Sequence, residues 1–410
     1  MKFSLILSAT FLFLMGCQSK PQEANANVQV NPNEITWIPN IQDAFALAKK
    51  QNKLVFVECY SPTCPVCQTM EPLFKNKEVA TFYNENFVSY KLDVGNQEQV
   101  AFLNQKNIFL PSFPQFLFFD SDGNLVHQGD VINTAASING VAKVALDPAK
   151  RASSYADRLA KGEASIEFLA AYANYALVAK DTVANLQAAN KLFEIYPKEK
   201  LGSQESWKLT KKSVRDIDNG FAKYWFDHVP QAAAYEKAEG HEGLENNILG
   251  AIIQASLYSP RGLQYSTAQI QRVKSLMGKA GAGQYSEGVT WEYEIRALIR
   301  ENKASQALPI GARMYERYKQ NPPSVIYIAK VFNDLYPNAS YTSQVKTWMN
   351  AVKPLIQADK EWADFYLEWA RLHQKSGDLV EAKKAGEQAK GYASKANIPL
   401  DRFMKFLQTI

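Results

Sequence analysis

The stretch that decides the fold is residues 54–67, which reads LVFVECYSPTCPVC. Its beginning, residues 54–57, is a short continuous apolar run, as expected of a strand buried on both faces of a sheet. Cys64 and Cys67 follow, separated by two residues, and a helical pattern begins there. At a helix N-terminus, free N–H groups and the helix dipole stabilise a thiolate, and a second cysteine one turn on lies within bonding distance. The spacing therefore predicts a reactive dithiol.

The sequence around this stretch predicts a central mixed sheet covered by helices. Further strands are expected at residues 87–93, 115–119 and 125–128. The last two are joined by Ser-Asp-Gly-Asn at residues 121–124, a strong hairpin signal. Periodic apolar positions predict helices at residues 41–50, after Cys67, and at residues 97–106 and 134–146. We therefore expect residues 34–150 to form one α/β domain.

Residues 151–410 carry a different pattern, because the strand signals stop and Ala- and aromatic-rich helical windows alternate with short loops. Near the end, Ala370, Gly377, Ala382 and Ala389 resemble the small-residue positions of a tetratricopeptide repeat. A repeat of 34 residues does not run cleanly through the region. The pattern predicts an all-α domain of divergent helical hairpins stacked as a short solenoid, with an irregular helical bundle as the alternative.

The N-terminus has the pattern of a processing signal. A positive charge at Lys2 is followed by an apolar run that is too short to span a bilayer. The run ends in Leu-Met-Gly-Cys at residues 14–17, which resembles the lipobox of bacterial lipoproteins and implies cleavage before Cys17 and its acylation. A cleaved secretory peptide with an incidental cysteine is the alternative. Residues 18–33 are polar and predict a flexible tether.

The region from residue 37 to residue 129 resembles the thioredoxin superfamily, most of all an exported branch that includes the C-terminal domain of the periplasmic membrane thiol:disulfide reductase. The resemblance implies that Cys64 attacks a substrate disulfide and that Cys67 resolves the mixed disulfide. Glu58, six residues before Cys64, stands where the family keeps a buried carboxylate that handles the proton of the resolving cysteine. Pro114 matches the family's cis-proline, which faces the disulfide.

The same resemblance implies a substrate-binding surface made by Phe113 and Pro114 together with Pro65 and Val66. Pro72 stands where a proline kinks the active-site helix of the family. The dipeptide Pro65-Val66 differs from that of the strongly reducing thioredoxins and lacks the histidine of the strong oxidants. The direction of the reaction therefore stays open, and we favour a reductase or an isomerase.

Other interpretations of these residues have to be weighed. A single CxxC pair could be half of a zinc site, but such a site needs four ligands and the four histidines lie far along the chain. We therefore expect no metal and no cofactor. Cys59 is expected to be a small core residue and not a third redox thiol. The alternatives for Glu58 and Pro114 are a surface carboxylate and a trans turn proline.

The whole chain sets the remaining limits. A net charge of +5 over 410 residues is too small to indicate nucleic-acid binding, and four cysteines are too few for a disulfide-stapled scaffold. We expect a thiol:disulfide oxidoreductase, anchored to a membrane through a lipid on Cys17. It would act on protein disulfides with an upstream thiol reductant or oxidant. The expected location is the envelope of a Gram-negative bacterium, facing the periplasm, with the outer membrane favoured because Gln18 follows the cysteine.

A second hypothesis gives the helical domain the main role. In it, residues 151–410 are a protein-interaction scaffold, and the thioredoxin-like domain is a thiol-dependent docking module. The hypothesis rests on relative size, because the helical region is more than twice as long as the α/β region.

Overall fold

The computed structural model describes residues 33–410. The predicted leader with Cys17, and the predicted tether up to residue 32, lie outside the described residues. The chain separates into two compact units. One extends to Lys161 and includes Val178–Lys180, and the other comprises Gly162–Leu177 and Asp181–Ile410. From residue 33 onward, no helix combines the length and the apolar character that crossing a membrane requires.

The first unit is built on a four-stranded mixed sheet with the strand order β2-β1-β3-β4. Strand β1 is parallel to β2 and antiparallel to β3, and β3 is antiparallel to β4. The sheet confirms the predicted α/β class. The elements of this unit are α1 (Ile41–Gln51), β1 (Leu54–Tyr60), α2 (Pro65–Phe74), α3 (Lys77–Asn86), β2 (Phe87–Asp93), α4 (Gln97–Gln105), β3 (Gln115–Phe119), β4 (Leu125–Gly129), α5 (Ala135–Leu146) and α6 (Tyr155–Ala160).

Helices cover both faces of the sheet, and the alternation along β1 decides which side chain meets which layer. Val55, Val57 and Cys59 belong to the apolar cluster formed with α1 and α4. Phe56 belongs to the opposite cluster, formed with α2, α3 and α5. Glu58 lies two residues after Phe56, so it points to the face that α2, α3 and α5 cover.

The predicted hairpin is present, and its turn is fixed by a short set of hydrogen bonds. The Asp120 carboxylate accepts the N–H groups of Asp122 and Asn124 at 3.0 and 2.8 Å. Gly123 has a φ angle of +82°, a left-handed conformation that glycine adopts without a steric penalty. The turn therefore joins β3 and β4 as the sequence predicted.

Helix α3 was absent from the sequence prediction, which had a single helical stretch after Cys67. It begins after Asn76, whose side chain accepts the N–H groups of Glu78 and Val79 at 2.9 and 3.3 Å. Asparagine at this position is one of the strongest helix-starting signals, and an acidic residue in the first turn adds to it. The chain therefore ends α2 at Phe74 and starts a second helix before β2.

The second unit is helical throughout, as predicted. Its α-helices are α7 (Ile166–Val178), α8 (Thr182–Ile195), α9 (Gln204–Ser213), α10 (Gly220–Asp227), α11 (Val229–Ala238), α12 (Leu244–Leu257), α13 (Thr267–Lys279), α14 (Ser286–Arg300), α15 (Ala307–Tyr318), α16 (Pro322–Leu335), α17 (Thr342–Val352), α18 (Asp359–Lys375), α19 (Leu379–Lys395) and α20 (Asp401–Leu407). From α11 to α20 each helix packs on the next, and α16 also packs on α14 and α18. Packing between near neighbours in sequence is characteristic of stacked hairpins, so it favours the solenoid over the bundle.

Candidate active site

Cys64 occupies the N-cap position of α2, directly after the loop that follows β1. Its backbone is extended, with φ −81° and ψ 117°, and its Sγ accepts the N–H group of Cys67 at 3.4 Å. Pro65 is the first helical residue, a position at which the missing N–H group has no consequence because a helix leaves its first N–H groups unpaired. The sequence thus places one sulfur at the positive end of a helix and the other inside its first turn.

The two thiols differ in exposure and in acidity. Burial alone would raise the pKa of Cys64, but hydrogen bonds from the Cys67 thiol and from the N–H groups of Cys67 and Val66 outweigh it and hold the pKa below its ordinary value. Cys67 is only 2% exposed, and burial together with its hydrogen bond to Cys64 raises its pKa to about 11. The pair therefore has one accessible, more acidic sulfur and one sheltered, less acidic sulfur, which are the properties of a nucleophile and a resolving thiol.

Apolar side chains are exposed beside the accessible sulfur. The peptide bond between Phe113 and Pro114 is cis, as predicted, and the Phe113 carbonyl oxygen lies 3.9 Å from the Sγ of Cys64. The side chains of Phe113 and Val66 are 43% and 54% exposed. The structure therefore places the predicted substrate-binding residues next to the Cys64 thiol; they are Phe113, Pro114, Pro65 and Val66.

Glu58 is fully buried, so the alternative of a surface carboxylate is wrong. Neither of its oxygens accepts a hydrogen bond from the described part of the chain. Burial raises the pKa of this carboxyl to about 7, although Lys91, whose Nζ lies 3.7 Å from Oε2, opposes the shift. The charge of Glu58 also contributes to the raised pKa of Cys67. The carboxyl is thus coupled to the sheltered thiol and exchanges its proton near neutral pH.

Lys91 is the residue of this site that the sequence prediction missed. It lies on β2, where Glu58 and Lys91 are directly paired across the parallel strands. Its ammonium group lies 4.6 Å from the ring centre of Tyr60, 5.6 Å from that of Trp37 and 5.7 Å from that of Phe74. The sequence signal was a lysine inside a mostly apolar strand, and pairing it with Glu58 requires the register of the sheet.

Two further residues near the sheet have structural roles. Cys59 is fully buried in the cluster on the opposite face, and burial strongly raises the pKa of its thiol, as expected of a core cysteine. His127 is buried on β4, its Nδ1 accepts the N–H group of Ala152 at 3.1 Å, and burial lowers its pKa to about 4. His127 is therefore neutral at pH 7 and already committed to a backbone partner.

One group of side chains in residues 33–410 brings three metal-ligating atoms within 4.8 Å of one another, and it is remote in sequence from the dithiol. It consists of Glu236, Glu239 and His241 in the second unit. Lys211 lies 2.5 Å from a Glu236 oxygen, and Lys208 lies 3.0 Å from a Glu239 oxygen. Because these ammonium groups already balance the two carboxylates, the cluster is explained as an ion-pair network.

The first unit combines a fold and a dithiol that are found together in known proteins. The sheet order, the CxxC pair at the N-terminus of α2 and the cis peptide bond before β3 occur together in the first unit. Residues 22–122 match the family Thioredox_DsbH, described as a protein of unknown function, DUF255. This unit is a thioredoxin-like domain. Its dithiol is of the thiol–disulfide oxidoreductase type.

Part of the chain is similar to parts of longer proteins. Spermatogenesis-associated protein 20 of Rattus norvegicus is 44% identical over 62 residues, which are 15% of this chain and 8% of that protein. An uncharacterized protein of Caenorhabditis elegans is 35% identical over 91 residues, 21% of this chain and 12% of that protein. The chain thus spans about a tenth of the length of the curated relatives it matches.

A solved structure is also similar to part of the chain. It is the solution structure of a candidate disulphide isomerase from Bacteroides thetaiotaomicron, 24% identical in sequence. The similarity covers 28% of this chain and 95% of that chain, with a TM-score of 0.25.

Proposed function

We propose that the protein is a thiol:disulfide oxidoreductase that acts on protein disulfides, in the reductase or isomerase direction. The observation that carries the proposal is the asymmetry of the dithiol. Cys64 is accessible and its pKa is lowered, whereas Cys67 is buried and its pKa is raised. Exchange needs one thiolate that meets the substrate and a second thiol that reacts only after the first.

In the first step, the Cys64 thiolate attacks one sulfur of a substrate disulfide. A bond forms between Cys64 and that sulfur, the substrate disulfide breaks, and the other substrate sulfur leaves as a thiolate. Phe113 and Val66 offer apolar surface to the substrate chain, and the Phe113 carbonyl beside Cys64 provides a backbone hydrogen-bond acceptor.

In the second step, Cys67 attacks the sulfur of Cys64 and releases the remaining substrate sulfur. Glu58 takes the proton of Cys67, because its carboxyl is coupled to that thiol and has a pKa of about 7. The substrate gains two electrons and the protein ends with a Cys64–Cys67 disulfide. An upstream thiol reductant has to restore the dithiol, whereas in an isomerase cycle the same substrate gives the two electrons back to the protein when it forms a different disulfide.

Reduction of insulin tests the proposal. The protein without residues 1–17, supplied with a small dithiol, is expected to precipitate the insulin B chain well above the rate with the dithiol alone. A Cys64→Ala variant should fall to that background rate, because the attacking sulfur is gone. Recovery of scrambled ribonuclease activity measures the isomerase direction in parallel. The enzyme proposal is wrong if the wild type does not exceed Cys64→Ala in either assay.

The helical unit suggests how substrates are recruited, and we propose that it binds substrate proteins or a redox partner. Stacked helical hairpins provide extended binding surfaces. If a Cys64→Ser variant supports the cellular role in full while deletion of residues 181–410, which keeps Val178–Lys180 of the first unit, abolishes it, the scaffold hypothesis replaces the enzyme.

We also propose that the protein is anchored by a lipid on Cys17 in the envelope of a Gram-negative bacterium, facing the periplasm and with the outer membrane favoured. The support is the sequence of residues 2–17. A diacylated cysteine gives stable anchoring, whereas a single acyl chain binds a bilayer only marginally. The site would then act close to the membrane and outside the cytoplasm.

A Cys17→Ala variant is expected to lose the lipid. Cells that express the wild type with a labelled fatty acid should yield a labelled protein in the membrane fraction, and the variant should carry no label. The readout is label per protein after immunoprecipitation. Equal label in the two proteins, or none in the wild type, contradicts the anchor. A Ser19→Ala variant is the matched control and should behave as the wild type.

A further inference from the structure

Lys91 stands between two carboxylates that lie on different elements. Glu58 approaches it from β1 and Glu71 approaches it from α2. The Glu58 oxygen is 3.7 Å from Nζ, beyond hydrogen-bond range, whereas Glu71 Oε1 makes a direct hydrogen bond with Nζ. The single ammonium group therefore engages Glu71 in preference to Glu58.

The surroundings of the ammonium group explain this preference. The Lys91 side chain is 20% exposed and that of Glu71 is 42% exposed, whereas the Glu58 side chain is fully buried. A direct bond to Glu58 would draw the ammonium further from water, but the bond to Glu71 keeps it at the edge of the domain. The aromatic rings of Trp37, Tyr60 and Phe74 lie within 6 Å of the ammonium group, a distance at which a cation is attracted to the ring face.

We propose that Glu71 is a positioning residue for the resolving step: it holds Lys91 away from Glu58 and so leaves the buried carboxyl free to exchange a proton with Cys67. The inference rests on the proposed oxidoreductase function. Lys91 paired fully with Glu58 would keep that carboxyl ionised to lower pH and make it a weaker base. Glu71 therefore sets the pH range in which Glu58 can both accept and release the proton.

Titratable groups on β1 and on three other elements interact electrostatically with Glu58 or with its partner Lys91. They are Cys67 and Glu71 on α2, Tyr83 on α3, Lys91 on β2, and Cys59 and Tyr60 on β1 itself. Burial raises the pKa of the thiols and phenols in this group, so at pH 6–8 they are neutral. Lys91, which approaches Glu58, and Glu71, which binds Lys91, are therefore the charged groups that the variants below change.

The experiment follows the resolving step directly in the full chain, solubilised in detergent. A chromophoric aryl disulfide, 5,5′-dithiobis(2-nitrobenzoate), reacts first with Cys64 and releases one thionitrobenzoate. Cys67 then attacks the sulfur of Cys64, gives its proton to Glu58 and releases the second. The rate of the second release is measured by stopped-flow absorbance between pH 5 and pH 9. In the wild type it should fall as pH drops through about 7, because Glu58 becomes protonated.

The fall in this rate on the acidic side is the acid limb of the pH profile. Glu71→Gln is expected to move the acid limb to lower pH by roughly one unit, which makes the second release about fivefold faster at pH 6. Lys91→Met should move the limb to higher pH, and the double variant should follow Lys91→Met, because Glu71 acts through the lysine. Glu98→Gln is the matched control. It removes the same charge from an exposed position on α4, which covers the opposite face of the sheet, and should leave the limb unchanged.

The result that overturns the inference is an acid limb that stays in place or moves upward in Glu71→Gln. An upward shift, as in Lys91→Met, would mean that Glu71 delivers the lysine to Glu58. A carbon-13 titration of the Glu58 carboxyl gives the same comparison without turnover, and it should show the same order of variants. If the wild type releases no second equivalent, the resolving role of Cys67 fails, and the proposed function is overturned together with the inference.

Discussion

A Cys67→Ser variant is expected to accumulate covalent adducts with its substrate proteins, whereas the wild type should show almost none. Cys64 remains accessible and keeps its place at the N-terminus of α2, so the first attack still occurs. The second sulfur is absent, so the mixed disulfide is not resolved within the protein. Acid quenching, alkylation and non-reducing electrophoresis should reveal high-mass species that disappear when a reductant is added. Mass spectrometry should place the mixed disulfide at Cys64.

Two variants control this experiment. A double variant, Cys64→Ala with Cys67→Ser, should form no adducts, since Cys59 is fully buried and its thiol is a weak acid. A Cys59→Ala change added to the Cys67→Ser background should leave the adducts unchanged. Adducts that survive the loss of Cys64, or that map to Cys59, would remove Cys64 from the role of nucleophile.

Replacement of Glu58 by glutamine is expected to slow the resolving step by about 100-fold at pH 7.5, the lower end of what a positioned base contributes. Glutamine has nearly the same shape but cannot take the proton of Cys67, whose own pKa is about 11. The first attack on the aryl disulfide should keep its rate within about threefold, because Cys64 depends on α2 and not on Glu58. Equal loss in both steps would indicate general damage to the domain.

The same variant is expected to change how stability depends on pH. The pKa of Glu58 is about 7 in the folded protein against an ordinary value of 4.5, so the folded form binds the proton more tightly. The stabilisation that this proton gives to the folded form is complete below about pH 4.5. As the pH rises through about 7, roughly 3 kcal/mol of that stabilisation is lost. Glu58→Gln should lack this dependence and be more stable than the wild type at pH 8. Hydrogen exchange of the β1 backbone amides at each pH measures the free energy of unfolding of this domain alone.

The parts of the site that could be predicted from the sequence are those whose residues lie close together along the chain. The dithiol, the apolar strand before it, the hairpin and the prolines at 65 and 114 are each visible within a few residues. The buried position of Glu58 follows from a resemblance of spacing, and the structure agrees with it. Helix α3 could have been found by the same reasoning, because Asn76 and Glu78 form a clear helix start.

The remaining features depend on contacts between distant segments. Lys91 meets Glu58 through the register of two parallel strands, and it meets Glu71 because α2 packs over that face of the sheet. No spacing rule along the chain connects residues that are 20 and 33 positions apart. The helices from α11 onward pack mainly on near neighbours in sequence, but no regular 34-residue repeat marks the hairpins, so the solenoid and the bundle could not be separated before the structure.

The difference in burial between the two sulfurs also governs how the protein meets peroxide. An oxidant from solvent reaches Cys64 first and converts its thiolate to a sulfenic acid. Cys67 lies one helical turn away, shielded from the oxidant, and can condense with that sulfenic acid to give a disulfide and water. A reductant can reopen this disulfide, whereas further oxidation to a sulfinic acid would be irreversible. The sheltered thiol thus protects the site against permanent oxidative inactivation.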